Sequence, residues 1–367
     1  MDGIDAHALA ITQKVEREIR EGGVATPLTA DDLFKNEDAL KDKVIIITGA
    51  ASGFGKAYAA RAALVGAKLV LGDMNEEGVA RVAEEIIKTG GKAVSTRVNV
   101  IKWENQLALF DLALKEYGRV DVVIPSAGVA ETGFSHSQRS AEGTLKPPKL
   151  LTVQVNLIGT LYACKLALHH FAKNKVVNGA RGHLVLIGSL ASIMGLPSAP
   201  EYSTSKHAIL GLYKSLYFDC ITEKVIISLC CPWFVKTPFL PPVMQLLLSG
   251  IPHARAEDVV SSMVYASTTP QSGNLLVIDA AGVLSLPHAV FEAASDGKSY
   301  YHTLMTRTVG LVTFVKTAKG GVWALAKTSS GRTMLASFTF MFTSSVFTTG
   351  YVGYKIFKLF GRGGLPK

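Results

Sequence analysis

The chain has 367 residues, 48% of them hydrophobic, enough to bury one large core with an appendage. Its formal net charge of +9 raises nucleic acid as a partner, but the charge is local: ten of the 38 Lys and Arg, and none of the 29 Asp and Glu, lie in residues 297–367. A near-neutral body with a basic tail and no recognisable binding module argues against nucleic-acid recognition, and four cysteines without a CxxC pair or ligand-spaced histidines imply neither a zinc site nor a disulfide scaffold and read as buried reduced thiols.

Ile4, Ala8, Ile11, Val15 and Ile19 recur at helical spacing up to Gly22-Gly23. Residues 1–40 therefore read as an extension built on an amphipathic helix that packs on the main domain or on a sister subunit, or else serves a regulatory role. The N-terminus has no basic stretch leading into an apolar one, and no Asn-x-Ser/Thr sequon follows. Secretion is not expected, and a cytoplasmic location is.

From Lys41 short β-branched runs alternate with helical stretches: 44–47, 69–71, 93–97, 120–124, 183–187, 225–229 and 275–278. Seven buried-type strands in that alternation predict an α/β fold with a parallel, doubly wound Rossmann-type sheet over 41–289. Directly after the first strand comes Thr48-Gly49-Ala50-Ala51-Ser52-Gly53-Phe54-Gly55, then an alanine-rich helix. Such a turn lets backbone approach a pyrophosphate, and the helix offers unpaired N–H groups to it, so Gly49, Ser52, Gly53, Phe54 and Gly55 are expected to bind a dinucleotide. The second strand ends at Asp73, eighteen residues beyond Gly55. A carboxylate there accepts from ribose hydroxyls and repels a 2′-phosphate, which favours NAD over NADP. Lys56 is the counterweight, because its ammonium attracts a phosphate.

The Thr48–Gly55 spacing resembles the short-chain dehydrogenase/reductase family, and the second half of the chain continues the resemblance. Ser189 lies thirteen residues before Tyr202, Tyr202-Ser203-Thr204-Ser205-Lys206 reads as the family's YxxxK, and Asn156 matches its fourth catalytic position. Ser189 to Ser192, Tyr202 to His207 and Cys231 to Thr237 look most like the hydroxyprostaglandin-dehydrogenase-like branch. The chemistry also stands on its own. Tyr202 and Lys206, four apart, share a helix face, and an adjacent ammonium is expected to lower a phenol pKa of about 10 so that Tyr202 removes the alcohol proton. Ser189 would hydrogen-bond the substrate oxygen while the nicotinamide takes the hydride. The resemblance alone implies that Asn156 holds a water relaying protons to Lys206, that Asn99 and Val100 meet the adenine, that Ser126 lines the nucleotide site, that Val235 and Thr237 contact the carboxamide, and that the chain forms a homodimer or tetramer. Ile124-Pro125-Ser126-Ala127-Gly128 departs from the family's Asn-Asn-Ala-Gly, and Trp233 stands where a glycine is common.

The segment 239–248 is strongly apolar and points either to a lipophilic alcohol or ketone as substrate or to a lid that packs on the protein itself or on a partner subunit. Beyond 290, the 22 uncharged residues of 333–354 can span a bilayer, and basic residues flank them. The tail 297–367 is expected to meet a cytosolic membrane surface, or else to fold over the active site or a dimer interface. Two further functional readings stay open: a biosynthetic ketone reductase using the same site, and a non-catalytic nucleotide-binding scaffold.

Overall fold

A computed structural model describes residues 25–131, 147–197, 199–235 and 250–287. The expectations for the helix near residues 4–19, the apolar segment 239–248, Thr237 and the tail beyond 290 lie outside these residues.

Elements follow in the order β1 (Thr26–Leu28), α1 (Ala30–Phe34), β2 (Val44–Thr48), α2 (Gly53–Leu64), β3 (Lys68–Asp73), α3 (Glu76–Lys88), β4 (Lys92–Arg97), α4 (Trp103–Tyr117) and β5 (Val122–Pro125). Then come α5 (Leu151–Phe171), β6 (Gly182–Ile187), α6 (Pro200–Thr222), β7 (Val225–Pro232), α7 (Ala256–Thr268), β8 (Asn274–Asp279) and β9 (Gly282–Pro287). They form one sheet in the order β1-β9-β8-β7-β6-β5-β2-β3-β4. β2 to β8 are parallel and are the seven strands expected from sequence. The sheet, however, has nine strands, because β9 turns back on β8 and β1 pairs with β9, both antiparallel. A three-residue edge strand carrying Pro27 gives no β-branched run to read, and an edge is where a strand tolerates a missing donor.

Every residue of β2 is buried. Ile45 and Ile47 join one apolar cluster with α2, α3 and α7, while Val44 and Ile46 join another with α4, α5 and α6. Two-residue alternation thus feeds a core on each face, which is why these strands read as continuous apolar runs. Leu33 and Leu40, from the stretch after β1, sit in the first cluster. α5 is long and apolar enough to cross a membrane by length and composition, yet Cys164, Leu166, Ala167 and Phe171 bury its inner face in the second cluster. The cysteines Cys164, Cys220, Cys230 and Cys231 are all buried and free.

The chain runs outward from β2 through β3 to β4, then returns to place β5 on the other side of β2. At such a reversal the loops on either side diverge and leave a crevice at the carboxyl ends of the strands.

Candidate active site

A cavity of about 800 Å³ occupies that crevice. Of the residues expected at the site, Gly49, Ser52, Gly53, Phe54, Asp73, Asn99, Val100, Ser126, Asn156, Ser189, Tyr202, Lys206 and Val235 all line it. Gly55 stands behind the lining, and Thr237 lies outside the described residues.

At the β2–α2 turn, Gly49 has φ +70°, and a Cβ there would fall 2.7 Å from the Ala127 backbone. A Cβ on Gly55 would run into the Gly49 carbonyl. These two glycines let turn, helix and the segment after β5 close together. Gly53, with φ +55°, has open space where a side chain would be. Ser52 gives α2 no side-chain cap, and the first bond back to it comes from Lys56 N to its carbonyl. The N–H groups of the first turn therefore point, with the positive end of the helix dipole, at a space that only glycine keeps clear, and the cradle fits a pyrophosphate.

Asp73 ends β3 with its carboxylate fixed by two backbone donors, Ala51 N at 2.9 Å and Asn75 N at 2.9 Å. Each oxygen retains acceptor capacity for a hydroxyl. Lys56 is held by Glu85 at 2.8 Å on α3, and that exposed ion pair holds the Glu85 carboxyl below its usual range through a hydrogen bond and the lysine's charge. Asn99 accepts from Ile101 N at 3.3 Å, which leaves its amide N–H₂ as a donor. The Pro-Ser replacement after β5 finds a local remedy: Thr48 Oγ1 accepts from Ala127 N at 3.3 Å, so a hydroxyl of the neighbouring strand anchors the segment.

Asn156 lies in a π-helical stretch, Gln154–Ile158, inside α5. Its Oδ1 accepts from Val129 N at 2.8 Å, and its Nδ2 donates to Val129 O at 3.0 Å and Ser205 Oγ at 3.1 Å. A widened turn of this kind re-aims one side chain out of helical register, a recurrent device at functional sites. Ser189 follows β6; its Oγ accepts from Ala191 N at 3.1 Å and lies 3.4 Å from the Pro232 carbonyl. Lys206 is buried, donates from Nζ to the Ile187 carbonyl at 3.0 Å, and stands 5.7 Å from the centre of the Tyr202 ring. His207, by contrast, turns back to the Ser203 carbonyl of its own helix at 2.9 Å.

The electrostatics correct one expectation. Burial pushes the Tyr202 phenol above its ordinary 10.0, a hydrogen bond with the Ser189 side chain pulls the other way, and the nearby Cys231 adds to the rise. Burial also pushes Lys206 down to about 8. Protein groups alone therefore do not lower the tyrosine: desolvation of its charged form outweighs the hydrogen bond with Ser189.

Glu131 was not foreseen. Its carboxylate accepts from Tyr202 N at 3.0 Å, capping the first turn of α6 from 71 residues away. Pro200 opens that helix and Ala199 offers it no side-chain cap, so an oxygen from elsewhere is required. A cap supplied across the fold leaves no local signature. With Asn156 clasping Val129 and Glu131 clasping Tyr202, residues 129–131 tie α5 to α6 across the cavity. Leu151, Val155, Leu196, Trp233 and Phe234 make much of the remaining wall apolar.

A dinucleotide cradle facing a tyrosine, a serine and a buried lysine defines an oxidoreductase of the nicotinamide-dependent α/β class. Comparison with known proteins agrees. Residues 43–245 match the short chain dehydrogenase family. The chain is 32% identical over 221 residues, 59% of its length and 72% of the relative's, to the short-chain dehydrogenase/reductase ascJ of Acremonium egyptiacum. It is 29% identical over 268 residues, 67% of its length and 87% of the relative's, to the 5′-hydroxyaverantin dehydrogenase of Dothistroma septosporum. Against the 3beta-hydroxysteroid dehydrogenase of Mediterraneibacter gnavus the identity is 30% over 197 residues, 54% of the chain and 67% of that protein. The chain belongs to the short chain dehydrogenase family and is an enzyme of that kind.

Proposed function

We propose that this enzyme transfers a hydride between NAD and a lipophilic secondary alcohol or ketone, with Tyr202 as the acid/base. The observation that carries the reading is the Tyr202–Ser189 hydrogen bond inside an otherwise largely apolar cavity. In the oxidative direction Tyr202 takes the alcohol proton, Ser189 donates to the substrate oxygen, and Lys206 steadies the charge left on the phenol. Asn156 holds the segment at Val129 and, by resemblance, a relay water toward Lys206. The bound cofactor supplies the hydride acceptor. Gly49, Ser52, Gly53, Phe54 and Gly55 receive its phosphates, Asp73 its ribose, Asn99 and Val100 its adenine, Ser126 the nucleotide-side wall, and Val235 with Thr237 its carboxamide.

The choice of NAD rests on Asp73, whose backbone-fixed carboxylate would repel a 2′-phosphate, and on Lys56 being drawn away by Glu85. A lipophilic substrate is supported by Leu151, Leu196, Trp233 and Phe234 in the cavity wall, and relatives named for a hydroxysteroid and for 5′-hydroxyaverantin fit that wall. The hydroxyprostaglandin-dehydrogenase-like branch, the homo-oligomer, and a cytoplasmic enzyme with its tail 297–367 on a membrane remain part of this reading. Turnover of a panel of lipophilic alcohols with each cofactor tests it. A kcat/KM with NAD at least tenfold above that with NADP is expected, narrowing in Asp73→Ala; equal efficiency in the unmutated enzyme overturns the cofactor assignment.

A further inference from the structure

β7 ends at Pro232, whose carbonyl lies 3.4 Å from Ser189 Oγ, the hydroxyl placed to meet the substrate oxygen. The next two residues, Trp233 and Phe234, line the same cavity. The first side chains that the polypeptide offers beyond the serine's contact are therefore both aromatic, and at Trp233 a large flat ring stands at a position where glycine is common.

Both rings are held. Trp233 N donates to the Ile278 carbonyl of β8 at 2.7 Å, and the Phe234 carbonyl accepts from Ala254 N at 2.9 Å, so two other segments fix the backbone beneath them. The Trp233 side chain is half-buried and packs on the apolar cluster that also holds α2, α3 and α7. Its ring meets that of Phe234 edge to face, with centroids 4.6 Å apart and planes at 66°, the arrangement that ring quadrupoles favour. Rotation of the indole would break this pair and the core contacts together. Trp233 thus fills the core, but a residue serving the core alone has no need of a surface in the cavity, and Trp233 has one.

A rigid, flat wall decides which carbon skeleton it takes up. Area does not decide it, since an open chain and a fused ring of equal carbon number bury similar apolar surface. Torsions do: a chain gives up several to lie along a fixed surface, and a ring has almost none to lose. A ring also offers the indole a face or an edge, a contact beyond area burial. We propose that Trp233 is a specificity-determining residue that selects secondary alcohols carried on a flat ring over those on an open chain. The ring lies against the indole while its oxygen meets Ser189 and Tyr202. This selection rests on the reading of the cavity as the site of a lipophilic alcohol, and it names the class within that reading.

Steady-state oxidation of β-tetralol and of methyl octyl carbinol, lipophilic secondary alcohols of equal carbon number, tests it in the full chain at saturating cofactor. The parent should prefer the ring alcohol about tenfold or more in kcat/KM. Trp233→Leu keeps apolar bulk against the core without a flat face. It should cut the preference below about threefold by raising KM for the ring alcohol, with KM for the cofactor and the kinetics of the chain alcohol unchanged. Trp233→Phe, which restores a ring, should retain the preference. Equal kcat/KM for the two alcohols in the parent, or a preference left intact in Trp233→Leu, overturns the proposal alone. Turnover of neither alcohol overturns the lipophilic-alcohol reading beneath it.

Discussion

Lys206 and Asp121 stand at opposite ends of the same sheet, 8% and 4% exposed, and are treated differently. Asp121 is enclosed by three N–H donors, with Arg119 supplying the countercharge. Lys206 holds the Ile187 carbonyl and no carboxylate among the described residues, and its buried ammonium titrates near 8 rather than 10.5. One end of the strands neutralises its buried charge; the other keeps a destabilised charge beside a phenol. A charge held at a loss of stability is what a reacting group needs and a structural one does not.

The largest effect expected from this contrast comes from Lys206→Met. Folding lowers the lysine pKa, so its contribution to stability is full above 10.5 and is lost as pH falls through about 8. At pH 7 the charged form therefore costs on the order of 3 kcal/mol. The variant should lose activity by roughly a hundredfold or more, yet unfold at a Tm equal to or above that of the parent, with the difference shrinking as pH rises toward 10. A clear drop in Tm at pH 7 would mean that Lys206 is a stabilising residue like Asp121, and the contrast fails. Asp121→Asn should do the reverse, lowering stability by about 2 kcal/mol in denaturant unfolding while leaving kcat/KM within twofold. A matching loss of activity would tie the two ends together. The smallest effect is expected from Glu131→Ala, which removes the cap of α6 at Tyr202: about 1 kcal/mol of stability and a fall in kcat of roughly fivefold, restored in Glu131→Gln. A change confined to KM would place Glu131 in substrate binding instead.

Much of the candidate site's geometry was legible in sequence because its groups are fixed by short-range rules. Four residues on a helix bring Tyr202 and Lys206 to one face, and a strand–glycine–helix string places the cradle. The strands β2 to β8 announced themselves as buried apolar runs. What escaped depends on partners distant in the chain. Glu131 caps a helix 71 residues away, the π-helical stretch at Asn156 leaves its sequence looking like ordinary helix, and β1 is defined by its pairing with β9 rather than by its three residues. The direction of the Tyr202 shift escaped for the same reason: spacing shows that an ammonium is near, and only the packed structure shows how dry the phenol is.

The central claim, that Tyr202 carries the proton, is tested most directly by following nicotinamide absorbance in a single turnover against pH, in both directions, for the parent enzyme and Tyr202→Phe. With a phenol raised above its ordinary range, alcohol oxidation should accelerate continuously from pH 6 to 9 while ketone reduction, served by a phenol that stays protonated, holds steady, and Tyr202→Phe should abolish the oxidation slope and slow both directions about a thousandfold. Hydride transfer that persists in Tyr202→Phe with the parent's pH dependence would contradict the account.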